Sequence, residues 1–483
     1  MQFEKRNMGS IILDHANDDP TAACIEQDGV VYTRELIINA ASSLRVLFQQ
    51  HGVVPGSSVA IIAVSRVTGL QAMVAIWSLN AAVLFIDPRQ TIPEIETAKS
   101  AAGIDFVFTD SKSFARRGGY TLMSTDNAAS SCAILNFPIG SHSSPAVIAS
   151  SSGTTGAQKY RRVSHEIYIN GLINTARIFD IKVPETGLSV GSLGFGAVLR
   201  YCISLLMYGK FFMSMPLVFK ITDLHNALLR PTTRVVGLPP VLVRDLLEFC
   251  QNEKMESPVY PHIKRMASLG GPITSDDLTA AYNLLTPAIQ NVYSVSRIGA
   301  ISILKGTAIL KKSESVGKPF PAVTVQILDE NGQICRPNTV GAVVATANWK
   351  ANPEPVNTDD IGLIDDDGYL FIHGRSGQVA TRRSININLS ELEQEIKQLS
   401  SVRDCMAFGV KSDETLDDQV YLAIETRAST TVVKQDVKKA LAGYRRPDRI
   451  MVTKKLPRNA ANKISLRDLK HLATISELEY EDF

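Results

Sequence analysis

At 483 residues the chain exceeds what one ordinary hydrophobic core organises, so two or three domains are expected. Apolar residues make up 45% and charged residues 20% of it, the balance of a soluble globular protein, and a formal net charge of +2 gives no electrostatic ground for a nucleic-acid or membrane partner. The six cysteines (Cys24, Cys132, Cys202, Cys250, Cys335 and Cys405) show no CxxC pair and no metal-ligand spacing. They read as reduced, mostly buried thiols of a cytosolic protein, and no metal site is predicted from them.

The N-terminal "MQFEKRNMGSIILDHANDD" has only a short apolar patch before acids arrive, so no secretory leader is predicted and the cytoplasm is the expected location. Further on, "SVAIIAVS" (58–65), "AVLFIDP" (82–88) and "IDFVFTD" (104–110) read as buried strands, separated by the helical "TGLQAMVAIWSLNA" and "PEIETAKSAAG". The apolar "YCISLLMYGKFFMSMPLVF" (201–219) is interrupted by Gly209, Lys210 and Pro216, which predicts a buried helix followed by a buried strand rather than a membrane span. Strand, helix and strand return in "RVVGLPP" (234–240), "VLVRDLLEFCQNE" and "RMASLGG" (265–271). This spacing predicts an α/β fold with parallel sheets.

Between 316 and 347 the period falls to two, broken by "DENG" and "RPNTVG", the pattern of an antiparallel β subdomain. After "HGRSGQ" (373–378) the chain restarts as a small unit with helices "LSELEQEIKQL" and "VVKQDVKKALAG" and strands "CMAFGV" and "QVYLAIE". The expected organisation is a large domain over 1–376, with its β subdomain at about 310–376, and a small mobile α+β domain over 377–483. Gly374 and Gly377 give the junction its freedom.

The chemistry concentrates first in "SSSGTTGAQKYRRVSH" (150–165). Hydroxyls, glycines and a lysine in one loop can offer N–H groups and a cation to a polyphosphate, although Ser/Thr/Gly clusters are also common surface turns. It is not a Walker A loop, because Lys159 follows Gln158 and precedes Tyr160.

This stretch is similar to the SGTTGxPKxVxxSH signature of adenylate-forming ligases, the group of acyl-CoA synthetases, peptide-synthetase adenylation domains and firefly luciferase. The chain keeps Ser152, Gly153, Thr154, Thr155, Gly156, Lys159, Ser164 and His165 of that pattern. The resemblance continues in order through "ASLGGPI" (267–273), "NVYSVSRIGAI" (291–301), "NTDDIGLIDDDGYLFIHGR" (357–375) and "LPRNAANKISLRDL" (456–469), and spans roughly 30 to 470.

It implies ATP-dependent activation of a carboxylic acid to an acyl-adenylate, with pyrophosphate released and a thiol of CoA or of a carrier protein's phosphopantetheine as acceptor. It also implies roles for individual residues. Thr154, Thr155 and Lys159 would hold the β- and γ-phosphates, in a nucleotide-binding loop that includes Ser152, Gly153 and Gly156. Gly270 and Gly271 would flank the adenine with Tyr293, followed by Ser296 and Arg297. Asp360 would accept the ribose hydroxyls with Arg375 beside it, and Lys463 would bridge the attacking carboxylate and the α-phosphate. Read alone, Asp360 belongs to an acidic run, Tyr293 to a core, and Lys463 to a group of surface cations. His165 suits a structural partner of the loop as well as a participant.

Four departures stand out. Arg297 occupies the place of the acid that ligates Mg²⁺ in the family, Gly377 the place of the hinge Asp or Lys, Thr381 and Ser384 those of a later Lys and Gly, and Asn462 that of the glycine before the final lysine. Phe195–Gly196 stands where amino-acid-activating relatives carry Phe-Asp, which points to a non-amino-acid acyl or aryl acid. Gly237 and Gly299 would complete the acyl site, and Arg200 would meet either a second acidic group or a buried ion-pair partner. Two other functions stand beside this one: a family-like protein that binds nucleotide or acyl ligand without full catalysis, favoured by Arg297, Thr381, Ser384 and Asn462, and a phosphotransferase, disfavoured by the missing Walker lysine and catalytic base.

Overall fold

The apolar runs between residues 58 and 110 form parallel strands, and the helical stretches between them carry the crossovers. They belong to the first of two units, Met1–Ser313 together with Ala347–Pro353; the second comprises Glu314–Thr346 and Glu354–Phe483. The structure is a computed structural model and describes residues 5–123, 140–152, 158–179, 181, 186–295, 297–349, 353–375, 379–382, 385–411, 418–441, 445–459, 463–475 and 481–482.

The first unit opens with α1 (Met8–Asp18), the hairpin β1 (Ala23–Gln27) and β2 (Val30–Thr33), and α2 (Arg34–Gln50). β3 (Ser58–Ile62), α3 (Arg66–Ser78), β4 (Ala82–Phe85), α4 (Ile92–Ala102), β5 (Phe106–Thr109), α5 (Lys112–Gly118) and β6 (Thr121–Leu122) follow. Next come the antiparallel β7 (Pro145–Ser152) and β8 (Gln158–Ser164), α6 (His165–Phe179), β9 (Thr186–Ser189), α7 (Gly196–Met207), β10 (Phe212–Ser214) and α8 (Ile221–Leu229). β11 (Thr233–Leu238), α9 (Pro240–Asn252), β12 (Arg265–Leu269), α10 (Ser275–Ala280), β13 (Ile289–Val295), β14 (Gly299–Lys305) and α11 (Ile309–Lys312) complete it.

One sheet runs β6-β5-β3-β4-β7-β8 and the other β14-β13-β12-β11-β9-β10-β1-β2. The helix and strand predicted over 201–219 are α7 and β10. α3 is apolar all round because it touches β3 and β4 of one sheet and β1 of the other. A helix with no solvated face has no polar stripe to show. Its Trp77 is fully buried, and the indole N–H donates to the Ala146 carbonyl at 2.8 Å. α6 likewise meets β7 and β14, and from Ala347–Pro353 the Trp349 ring reaches to 3.9 Å from where a Cβ on Gly171 of α6 would stand.

The second unit begins with β15 (Lys318–Pro319) and an antiparallel sheet of β16 (Val323–Leu328), β17 (Gly341–Ala347), β18 (Pro355–Ile364) and β19 (Leu370–Arg375), as the period-two runs predict. The "DENG" turn is closed by Asp329, whose carboxylate accepts from the N–H groups of Asn331 and Gln333. β20 (Val379–Arg382) and β21 (Ile385–Asn388) pair, then α12 (Leu389–Lys397), β22 (Asp404–Lys411), β23 (Asp418–Glu425), α13 (Thr430–Ala440), β24 (Arg449–Thr453), α14 (Leu466–Ile475) and β25 (Glu481–Asp482) follow. β23 is apolar on both faces: Val420, Leu422 and Ile424 enter one core with α12 and α13, while Tyr421 and Ala423 enter another with Leu469 of α14. Strand alternation assigns successive residues to opposite faces, so a continuous apolar run requires cover on both.

Candidate active site

β7 and β8 pair from Pro145↔Ser164 to Ser152↔Gln158, so the Gly/Thr loop connects the two strands of a hairpin. Ser152 ends β7, and Lys159 on β8 is level with Ser151. Gly153, Thr154, Thr155 and Gly156 lie outside the described residues. His165, the first residue of α6, is fully buried. The Met8 N–H donates to its Nδ1 at 3.1 Å, Asn7 Nδ2 lies 3.0 Å from its Nε2, and its ring meets Trp77 edge-on with centroids 5.2 Å apart. Burial pushes its pKa down to about 3, so it is neutral at pH 7. These contacts make His165 a structural residue that fixes the start of α6 against α1 and α3.

The acyl and adenine candidates gather at the C-terminal edge of the second sheet, where open parallel sheets bind ligands. β11 pairs with β12 up to Leu238↔Ser268, and β12 with β13 up to Leu269↔Val292. That register brings Gly270 level with half-buried Tyr293. Gly270 has φ +91°, a left-handed value that favours glycine, and a Cβ there would meet nothing within 4 Å. Gly271 faces Pro240, 3.8 Å from the place of its Cβ.

One strand over, a Cβ on Gly237 would stand 3.2 Å from side-chain atoms of both Leu269 and Phe179. Gly299 opens β14 at φ +90°, and Arg200 Nη1 lies 3.1 Å from its Cβ position. Half-buried Phe195 is the N-cap of α7 and Gly196 its first residue, with open space where a Cβ would stand. Arg297 is exposed, and Ser296 lies outside the described residues. The alternative of an ion pair for Arg200 is not met: none of its partners among the described residues is a carboxylate.

One positioning residue escaped sequence reasoning. Arg66, at the start of apolar α3, is buried and donates to the carbonyls of Ser189 and Gly191 and to Ser214 Oγ. It thereby holds the end of β9 and the connection that leads to Phe195 and Gly196. Its only advance signal is a charged residue followed by an uninterrupted apolar helix.

In the second unit, Asp360 and Arg375 are cross-strand partners of β18 and β19. β18 bulges here: Asn357 pairs with Val344 and Ile361 with Ala342, so Thr358, Asp359 and Asp360 together oppose Val343. Asp359 takes the left-handed φ of +64° that this requires. Thr358 Oγ1 donates to the Val343 carbonyl at 2.9 Å and accepts from the Asp360 N–H at 3.2 Å, leaving Asp360 only 5% exposed.

Lys463 is exposed on a turn in which the Asn459 N–H donates to the Lys463 carbonyl at 2.8 Å and the Lys463 N–H donates to Asn459 Oδ1 at 3.1 Å. Beneath that turn, Arg458 Nη2 lies 2.9 Å from Asp404 and 3.0 Å from Glu425, and Lys397 reaches Asp404 at 3.0 Å. Burial works against the Asp404 charge, but Lys397 and Arg458 together hold it below the usual carboxylate range. Nearby Glu393 is pushed up to about 7, chiefly by burial. Gly377, Ser384 and Asn462 lie outside the described residues, and Thr381 is on β20.

An ionised carboxylate such as that of Asp360 can accept from the paired hydroxyls of a ribose. A protein-held Mg²⁺ fits less well. Arg297 offers a guanidinium where an oxygen ligand is needed, and among the described residues no group of three or more His, Cys, Asp or Glu side chains stands together. Among those residues, no helix is long and apolar enough to cross a membrane.

Comparison with solved structures gives o-succinylbenzoate CoA synthetase (MenE) from Bacillus subtilis, in complex with the acyl-adenylate OSB-AMP, at a TM-score of 0.80 and 19% identity, covering 96% of this chain and 98% of that one. ATP-bound MatB from Rhodopseudomonas palustris matches at 0.79 and 18% identity, covering 98% and 99%. These matches establish the same two-part fold. Among curated proteins, the oxalate–CoA ligase of Arabidopsis thaliana is 34% identical over 174 residues, 32% of this chain and 34% of that protein. The 2-succinylbenzoate–CoA ligase of Oceanobacillus iheyensis is 27% identical over 268 residues, 52% of this chain and 54% of its own length. The chain therefore aligns with about a third of the first and about half of the second. The model of the AMP-binding enzyme family matches residues 14–349, well over half of the chain. That extent of match shows that the chain belongs to the AMP-binding enzyme family, as its resemblance to the adenylate-forming ligases implies.

Proposed function

We propose that the protein is an ATP-dependent acid–thiol ligase. A carboxylate oxygen of the substrate attacks the α-phosphorus of ATP, the bond to the β-phosphate oxygen breaks, and pyrophosphate leaves behind an acyl-adenylate. A thiol of CoA, or of a carrier protein's phosphopantetheine, then attacks the activated carbonyl and releases AMP. The first step joins two anions, so positioning and charge neutralisation decide its rate.

Thr154, Thr155 and Lys159 hold the β- and γ-phosphates in this reading, and Ser152, Gly153 and Gly156 complete the nucleotide-binding loop. Gly270, Gly271 and Tyr293 flank the adenine, and Asp360 with Arg375 binds the ribose. Lys463 supplies the cation at the α-phosphate. Phe195, Gly196, Gly237 and Gly299 border the acyl group, a non-amino-acid acyl or aryl acid for which no carboxylate stands ready to receive an ammonium. Residues 377–483 form the small catalytic domain, and the reaction takes place in the cytoplasm.

The observation that carries the proposal is the pairing of Asp360 with Arg375. Two residues assigned to one ribose on motif grounds are register partners, and a bulge with its own threonine bracket buries the acid. The CoA-ligase names of the relatives agree with it. Carboxylate-dependent exchange of labelled pyrophosphate into ATP is the test. Exchange with some acid, reduced at least ~100-fold by Lys463→Ala, is expected. ATP binding without exchange across a broad acid panel would overturn the ligase in favour of the second reading, a nucleotide- or acyl-binding protein, for which the exposed Arg297 is the specific support.

A further inference from the structure

This inference rests on the ligase reading and concerns its acyl substrate. Arg200 stands in α7, four residues after Gly196, and its guanidinium lies over the Tyr168 ring of α6, 5.7 Å from the centroid. Burial raises the Tyr168 phenol above its ordinary pKa against the opposing charge and hydrogen bond of Arg200, so the tyrosine offers a neutral face and no counter-charge. The guanidinium also approaches Gly299, where a Cβ would stand 3.1 Å from Nη1.

Two other half-buried arginines have carboxylates, Arg244 with Asp277 and Arg458 with Asp404 and Glu425, and Arg34 and Arg66 bond carbonyl groups in their place. Arg200 has neither kind of partner among the described residues: it meets the Tyr168 ring and, at the start of β14, Gly299. A guanidinium has five N–H donors, so one that meets an aromatic face and bonds the Tyr168 hydroxyl keeps others for a planar anion, and a carboxylate matches that fork bidentately.

We propose that Arg200 receives a second anionic group of the substrate. The acid activated is then a dicarboxylate: one carboxylate attacks the α-phosphorus and the other is held by Arg200 over Tyr168. Gly299 is the residue that leaves the guanidinium its place.

The test is calorimetric titration of the full chain with chain-matched acids, succinate against butyrate, glutarate against valerate and phthalate against benzoate, beside pyrophosphate exchange with the same acids. At least one diacid is expected to bind about tenfold or more tightly than its monoacid partner. Arg200→Met, which keeps an apolar stem over Tyr168, should bring that ratio to about one, and Arg200→Lys should retain part of it. The wild-type ratio decides the matter even if Arg200→Met folds poorly. A diacid bound through Arg200 without exchange upholds this inference and overturns the ligase reading. Exchange with monoacids alone, or a diacid preference that survives Arg200→Met, overturns the inference and leaves the ligase standing. Binding of no acid in any pair also overturns it.

Discussion

Arg297 places a fixed positive charge where the resemblance expects a carboxylate, and it does so from an exposed position after β13. A guanidinium cannot ligate a cation but can meet phosphate oxygens directly. If it stands in for a protein-held Mg²⁺, Arg297→Glu should make pyrophosphate exchange more steeply dependent on Mg²⁺. Superimposable Mg²⁺ titrations of parent and variant would dismiss that role. The residue itself was legible in sequence, because the surrounding motif fixes its position. Arg66 was not: next to "VTGLQAMVAIWS" a lone arginine reads as the solvated end of a helix. Its burial depends on carbonyls from β9 and its connection, more than a hundred residues later. Asp360 was identified only through the motif, since "DDIGLIDDDG" does not by itself distinguish a bulged, buried acid from its solvated neighbours.

Among the elements, those with contiguous apolar runs were legible almost to their ends. β3, β4 and β5 each fall inside a predicted run, because strands covered on both faces need no polar alternation. α6 was harder. "SH" closes a phosphate-loop motif, yet the histidine turns away into the helix layer, a choice made by Asn7 and Met8 at the other end of the unit's sequence. That contact has a pH signature. The folded pKa of His165 is depressed to about 3 from the ordinary 6.5, so its stabilising contribution is complete above pH 6.5 and is lost progressively as the pH falls toward 3. Its full span is of order 4–5 kcal/mol at most. Denaturation midpoints measured between pH 7 and 4 should therefore fall less steeply in His165→Gln than in the parent. Parallel slopes would show that this burial contributes nothing to acid sensitivity.

For the whole molecule, separate cores in the two units mean that a single unfolding free energy need not describe the chain. Trp77→Ala removes a fully buried indole and its hydrogen bond from the first unit, at a cost of about 3–5 kcal/mol. Arg458→Met leaves Asp404 and Glu425 facing each other without their shared cation in the second. Calorimetry should show each variant lowering a different transition; one common transition lowered by both would mean that the units unfold together. Glu393 adds a contrast, since its raised pKa stabilises its unit below pH 4.5 and that stabilisation is lost as the pH rises through about 7, opposite in sign to His165.

The path of the backbone has a practical corollary. It leaves the first unit after Ser313, returns for Ala347–Pro353, where Trp349 lies against α6, and leaves again. A protein laced in this way cannot be dissected with one cut. Truncation after Ser313 strips the larger piece of its returning tryptophan segment, and the fragment that begins at Glu314 carries that segment away from the helix it covers.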